Sequence, residues 1–269
     1  MGDIASSART IARTGRALGF DFRLLGNARS IARYVRDLTR WKRAGGRVSS
    51  LYPILGDWRT EAGDGSSAYF QQDLLVAQDV YRRGPVRHVD VGSRIDGFVA
   101  HIASFRPVEV LDIRPLESVL PNISFRRADL MALPADLQEY TDSLSCLHAI
   151  EHFGLGRYGD PIDPDGHLKG FRSLLSMLKP GGTLYLSFPV GRATVEFNAH
   201  RVFDIQDVFL WPGADEVGLE HCDVIDDRGT LHPGVVPAAF PEIRKGLVHG
   251  CAIYTLRKKL PVERTERTC

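Results

Sequence analysis

From residue 87 onward the chain repeats one pattern: a short apolar run closed by an acid or a glycine, then a stretch with helical spacing. The runs are RHVDVG, VEVLDIRP, ISFRRADL, LSCLHAI and TLYLSFPVG. Short apolar runs separated by helices need cover on both faces, which a parallel sheet between helical layers provides. SAYFQQDLLVAQDVYRR precedes the first run as a helix that Gly84-Pro85 ends, and SRIDGFVAHIASF comes after it with an amphipathic pattern. LKGFRSLLSMLKPGG reads as a helix with a glycine stop. In the tail, LEHCDVID, a DDRG turn and GCAIYTLRK predict a terminal hairpin that adds one antiparallel strand. The expected fold is α/β: a Rossmann-like, doubly wound, mostly parallel sheet.

Sheets of this kind bind ligands at the carboxyl ends of their strands, near the point where strand order reverses. The residues that matter are then those just after each run. Asp90, Gly92 and Ser93 close the first, and Gly92 lets the backbone approach a ligand closely. Asp112 and Ile113 close the second, where a carboxylate can take two ribose hydroxyls. Asp129 and Leu130 close the third, placed to read an adenine edge, and His148 lies at the end of the fourth. Arg94 comes after the glycine and suits a cofactor carboxylate or a substrate anion, or else is a surface arginine. The whole reading requires Asp90, Asp112 and Asp129 to converge at one sheet edge.

The series VDVG, LDI, ADL, HAIEH and LKPGGTLYLSFP resembles that of class I S-adenosylmethionine-dependent methyltransferases over residues 87–258. The resemblance implies S-adenosyl-L-methionine as cofactor and a seven-stranded sheet ending in a hairpin. It also implies that Asp90, Gly92 and Ser93 face the methionine part, Asp112 the ribose, Asp129 and Leu130 the adenine, and His148 to Ile150 the underside. The first loop departs from the family's GxG, because Arg94 stands where the second glycine belongs. That departure also breaks the G-x-G-x-x-G of a nicotinamide site. HVDVGSRIDGFVAH, LDIRPL, EHFGLGRYGDP and FNAHRVF together are similar to an uncharacterised methyltransferase-like family, a domain of unknown function. Its association with surface polysaccharide synthesis implies a glycan or nucleotide-sugar acceptor.

HAIEH spaces two histidines and a glutamate as H-x-x-E-H, a zinc pattern when it lies on a helix. Here it ends a β-like run and meets Gly154 and Gly156 at once. Residues four apart on a strand lie roughly 13 Å from each other, too far for one metal. A zinc hydrolase built on His148, Glu151 and His152 is thus a minor alternative, and no metal is expected. Glu151 and His152 are expected at the rim of the site instead. The loop GLGRYGDPIDPDGH is long for a compact domain, as lids and binding loops are. Its Asp160, Asp163 and Asp165 lack calcium-loop spacing and read as turn carboxylates.

Methyl transfer to a hydroxyl needs a base for its proton, and histidine suits that role. His152 is the first candidate and His200 the second, with Glu151 or Asp160 orienting the ring. Arg157, Tyr158, Asn198 and Arg201 are candidates to grip the acceptor. The fourth run lacks the D/N-P-P-Y/F ending of nucleobase amino-methyltransferases, and no basic groove for nucleic acid is evident.

The net charge of +1 hides an asymmetry: residues 1–50 carry eleven Lys and Arg against three Asp, leaving the body at −7. Residues 1–50 therefore read as a basic helical arm, with Ile31, Val35, Leu38 and Trp41 on one face. Such a face suits either the acidic body or an anionic membrane surface, as peripheral contact. The methyltransferase-like domain is expected over residues 51–260 and a disordered tail over 261–269. No apolar run approaches the roughly 20 residues of a membrane span. The dispersed Cys146, Cys222, Cys251 and Cys269 read as reduced thiols of a cytoplasmic protein. A non-catalytic cofactor-binding or scaffold module of a polysaccharide assembly system is the main alternative function, and oligomeric state stays open.

Overall fold

The computed structural model describes residues 28–59, 62–63, 65–239 and 246–261. The first half of the basic arm and the tail from residue 262 lie outside the described residues. The chain divides into two compact units, Met1–Asp64 and Gly65–Cys269. In the first, α1 (Ala28–Arg43) carries no acid in its first turn and Arg40, Lys42 and Arg43 in its last, a distribution that suits the carboxyl end of the helix dipole. Ile31, Val35 and Trp41 on it are exposed, and the Arg33 guanidinium stacks 4.5 Å over the Trp58 ring. No helix among the described residues is long and apolar enough to cross a membrane.

The second unit opens with α2 (Ala68–Arg83), which ends as its sequence predicts: Gly84 takes a left-handed φ of 54° and its N–H caps Val80 O at 3.1 Å. Then come β1 (His88–Val91), α3 (Phe98–Ala103), β2 (Val108–Asp112), β3 (Ile123–Arg127) and β4 (Thr141–Leu147). After them stand α4 (Gly166–Met177), β5 (Leu178–Val190), β6 (Thr194–Glu196), β7 (His200–Val202), β8 (Val217–Ile225), β9 (Leu231–His232) and β10 (Gly250–Lys258). The main sheet runs β3-β2-β1-β4-β5-β10-β8-β9. The first five of these strands pair in parallel, and β10 is antiparallel to both β5 and β8. Strand order reverses between β1 and β4, so their carboxyl ends open the crevice where such folds bind ligands.

The mostly parallel, Rossmann-like α/β fold is the one the sequence predicts, with eight strands instead of seven. DDRG does not lead into the last strand. It turns β8 back into the two-residue β9, with Val224 opposite His232, and β10 then inserts between β5 and β8. Two strands therefore run against the others, not one. Two smaller differences have local causes. Pro180 cannot continue a helix, so α4 stops at Met177 and LKPGG belongs to β5. Helix α3 begins only at Phe98, because the residues from Gly92 to Gly97 are taken up by the loop.

Each face of the sheet has its own core. Val89, Val91, Leu111, Leu144 and Leu186 pack against Phe171, Leu174 and Met177 of α4. Val108, Val110, Tyr185 and Ile253 pack against Val76 and Val80 of α2 and Phe98 and Ile102 of α3. Within β1 the alternation puts Val89 and Val91 on the α4 side, which turns His88 and Asp90 toward α2 and α3.

Candidate active site

A cleft partly open to solvent lies at the carboxyl ends of β1 to β4. Its lining includes Gly92, Asp112, Ile113, Asp129, Leu130 and His148, six of the eight residues expected to hold a cofactor. His152, Tyr158 and Asp160 line it as well.

Gly92 makes the floor of the cleft possible. Its φ is +78°, and a Cβ there would lie 2.7 Å from the Ala149 Cβ. A side chain would be strained by the backbone and crowded by the neighbouring loop. Asp90 does not face the cleft, contrary to expectation. It is fully buried on the opposite side, where its carboxylate accepts from Ser145 Oγ at 2.6 Å and from Ser93 N and Oγ at 3.1 and 3.0 Å. Ser93 is thereby also turned to Asp90 and is absent from the cleft lining. The pair shapes the Gly92 loop from beneath. Burial pushes the Asp90 pKa up to about 7, against the opposing hydrogen bonds from Ser145 and Ser93. Of the three carboxylates required to converge, Asp112 and Asp129 do so and Asp90 does not; the requirement fails at Asp90, and a cofactor site here rests on Asp112 and Asp129, with Asp90 holding the Gly92 loop from beneath.

Asp112 is engaged by a residue that sequence reasoning passed over. Arg114 N and Nε donate to its Oδ1 at 2.8 and 3.0 Å, and Arg114 Nη2 donates to Oδ2 at 2.5 Å. The same guanidinium stacks 4.5 Å over the Tyr158 ring. A carboxylate has about four lone-pair positions, so Arg114 leaves room for one ribose hydroxyl, and a two-hydroxyl grip requires Arg114 to swing away. Asp129 accepts from Met131 N at 2.8 Å, fixing the turn that presents Leu130 and Met131.

HAIEH is neither a helix nor a continuing strand. β4 stops at Leu147, His148 takes a left-handed φ of 49°, and Ile150–His152 forms a single 3-10 turn. His148 Nδ1 meets Glu151 Oε1 at 3.1 Å and its Nε2 meets Cys251 Sγ at 3.2 Å. Burial opposes its charge, but Cys251 and Glu151 outweigh that and hold its pKa well above the ordinary histidine value. His152 Nε2 lies 3.7 Å from the same Glu151 oxygen, but these three side chains do not bring one ligand atom each within metal-binding reach of one another. Glu151 is 1% exposed, so it lies beneath the site and not at its rim, and its Oε2 is buried without a hydrogen-bond partner.

His152 does reach the cleft. Its Nδ1 lies 2.7 Å from Ala199 O, and a carbonyl only accepts, so Nδ1 carries the proton and Nε2 a lone pair in the neutral ring. Burial lowers its pKa, with Glu151 opposing. Tyr158 packs edge-on against the ring at 5.4 Å. Arg157 Nη1 also donates to Ala199 O, at 3.0 Å, so it braces the loop from outside the lining.

Three other candidates hold the backbone or the surface in place of a ligand. Asp160 accepts from the N–H groups of Gly154, Gly156 and Tyr158 at 2.8, 3.1 and 3.1 Å, so it organises the loop and does not orient an imidazole. Arg201 is buried and donates to the carbonyls of Glu151, Phe153 and Pro164 at 3.2, 2.7 and 3.1 Å. Arg94 is exposed and paired with Asp96 at 2.6 Å, away from the cleft. In GRATVEFNAHRVF, β6 and β7 form a hairpin whose turn holds Asn198 at φ 63°. Asn198 is exposed there, outside the lining. His200 sits on β7 with its ring 6.4 Å from that of His152, beyond the lining.

A family model described as "Caenorhabditis protein of unknown function, DUF268" matches residues 122–213, about a third of the chain. The match takes in EHFGLGRYGDP and FNAHRVF but not HVDVGSRIDGFVAH. No curated protein sequence matches. Among solved structures, the chain is similar to the [4+2]-cyclase SpnF, at 16% identity and a TM-score of 0.51, over 74% of this chain and 86% of that one. The N-methyltransferase NodS from Bradyrhizobium japonicum WM9, in complex with S-adenosyl-L-homocysteine, gives 13% identity and a TM-score of 0.49 over 78% and 93%. An S-adenosylmethionine-dependent methyltransferase from Clostridium acetobutylicum gives 11% and 0.48 over 72% and 93%. The likeness to the cyclase establishes the fold.

Proposed function

We propose that the cleft binds S-adenosyl-L-methionine and that the protein transfers its methyl group to a hydroxyl of a glycan, nucleotide sugar or other small molecule. One observation carries this reading: Gly92, Asp112, Asp129 to Met131 and His148 surround a single space at the point where strand order reverses. Asp112 offers an acceptor to a ribose hydroxyl, and Gly92, in the left-handed conformation that glycine adopts freely, brings the backbone within reach of the cofactor. The motif series along β1 to β5 agrees with the same cofactor.

The sulfonium, when bound, supplies an electrophilic methyl and a good leaving group. The chain's own work is alignment and proton removal. An acceptor hydroxyl aligned with that methyl would have to give up its proton. His152 Nε2 takes it, held in the right tautomer by the Nδ1 contact with Ala199 O. Tyr158 supports the ring from one side. The loop that carries Tyr158 is fixed by Asp160 from within and by Arg201 from behind.

The test is transfer of labelled methyl from S-adenosyl-L-methionine into a panel of nucleotide sugars and oligosaccharides, with wild type and His152→Gln. Label in a hydroxyl acceptor, reduced about 10² to 10⁴-fold in the variant, is the expected result. Cofactor binding with no transfer to any panel member or extract fraction overturns the enzymatic reading in favour of a binding module.

A further inference from the structure

Beside the cleft, three ligating atoms meet that the proposed methyl transfer does not use. Glu196 ends β6, His200 begins β7 across the hairpin, and His249 lies just before β10. One ligand atom from each lies within 4.8 Å of the other two. The trio is not held by hydrogen bonds of its own: His200 Nε2 is 3.8 Å from Glu196 Oε2, and His249 Nε2 is 3.9 Å from Glu196 Oε1. Both separations exceed hydrogen-bond reach. His200 Nε2 is moreover buried with no hydrogen-bond partner. A buried polar nitrogen of that kind is costly unless something engages it.

The backbone beneath each ligand is pinned. Glu196 and His200 face each other in the antiparallel register of β6 and β7, and Ala199 N donates to Glu196 O at 2.8 Å across the turn. Phe203 N and Gly191 N each bond across to the other strand's carbonyls, tying the hairpin to the end of β5. His249 N and Val248 N donate to the two carboxylate oxygens of Asp227 at 2.7 and 2.9 Å. Bonds of roughly 2.0–2.2 Å to one tetrahedral zinc set ligand atoms about 3.3–3.6 Å apart, so a trio already within 4.8 Å has to draw together by about 1.5 Å or less.

We infer that Glu196, His200 and His249 form a binding site for a single divalent transition-metal ion of the zinc type. Two neutral imidazoles and one carboxylate suit a borderline-soft dication better than magnesium or calcium, which prefer all-oxygen shells. Three protein ligands leave a fourth position for water or another oxygen ligand. The ion bridges the β6–β7 hairpin and the segment entering β10. The hairpin's turn supplies Ala199 O to both His152 and Arg157, so occupancy stiffens the wall against which His152 is set. The site stands on these three residues alone and does not depend on which ligand fills the cleft.

The experiment uses the full chain, free of any affinity tag and stripped with chelator. Zinc is titrated by calorimetry, and cobalt(II) is followed by its visible d–d absorption. Wild type takes up one ion per chain with a tetrahedral cobalt spectrum. Loss of a neighbouring outer-shell group already weakens metal sites by about 10- to 100-fold, so His200→Ala and His249→Ala weaken binding by at least about a hundredfold. Glu196→Gln weakens it too. His221→Ala, which removes a histidine paired with Asp223 elsewhere, leaves affinity unchanged. Circular dichroism and S-adenosyl-L-homocysteine binding report separately whether each variant is folded and whether the cleft works. No uptake by folded wild type overturns the inference, as does equal affinity in the His200, His249 and His221 variants.

Discussion

Replacing Asp90 by asparagine changes how stability responds to pH, and the structure sets the size of the change. The carboxyl is fully buried, and burial raises its pKa from 3.8 to about 7 in the folded chain. The native state therefore keeps this proton at pH values where the unfolded chain has released it. Stability from this group is full below the unfolded value and falls as pH rises toward the folded value, at about 1.4 kcal/mol per unit. Across pH 5 to 7 the loss is roughly 2 kcal/mol. An asparagine in its place cannot ionise, so the variant lacks this slope. It keeps an oxygen for the Ser145 and Ser93 hydroxyls but presents an amide N–H to Ser93 N. That mismatch sets the variant about 1 kcal/mol below the protonated wild type. Urea unfolding at half-unit steps from about pH 3.5 to 7.5 gives both curves. The variant starts below wild type and crosses above it before about pH 6. Parallel curves would refute the buried, protonated Asp90.

Gly92→Ala places a Cβ 2.7 Å from that of Ala149 at a left-handed backbone position, costing about 1–2 kcal/mol. It is expected to lower Tm by several degrees and to weaken S-adenosyl-L-homocysteine binding more than about tenfold, as read by thermal shift and calorimetry. Arg201→Met strips the carbonyls of Glu151, Phe153 and Pro164 of a buried charged donor. A loss of about 2–4 kcal/mol in urea unfolding and faster proteolysis between residues 153 and 165 are expected. A loss below about 1 kcal/mol would mean that water replaces the guanidinium.

Much of this site is legible because its signals are local. Gly92, Asp112, Asp129 and His148 each stand where an apolar run closes, and strand ends are where this fold keeps its ligands. Face assignment is local too, and period-two alternation in HVDV would have turned Asp90 away from Val89 and Val91. Arg114 had a short-range signal, a cation two residues past an acid in a turn, but only the fold brings its ring-stacking partner Tyr158 to it. The role of Arg201 depends on where a long loop returns, which no spacing encodes, whereas Asp160 bonds N–H groups two to six residues back, as the turn carboxylate that the sequence reads. Thr194 to Val202 carried a hairpin pattern around Asn198 that reads equally as a polar loop until β5 anchors it. The insertion of β10 between β5 and β8 is a choice among pairings that the strands' own sequences leave open.

The proposed activity turns on Asp112 holding the ribose of an adenosyl ligand, and calorimetry with S-adenosyl-L-homocysteine on wild type and Asp112→Ala measures that directly. A charged hydrogen bond is worth about 1.5–3 kcal/mol, so wild type is expected to bind one equivalent and the variant at least about tenfold more weakly. Wild type that gives no binding heat, or a variant that binds equally well, would contradict it.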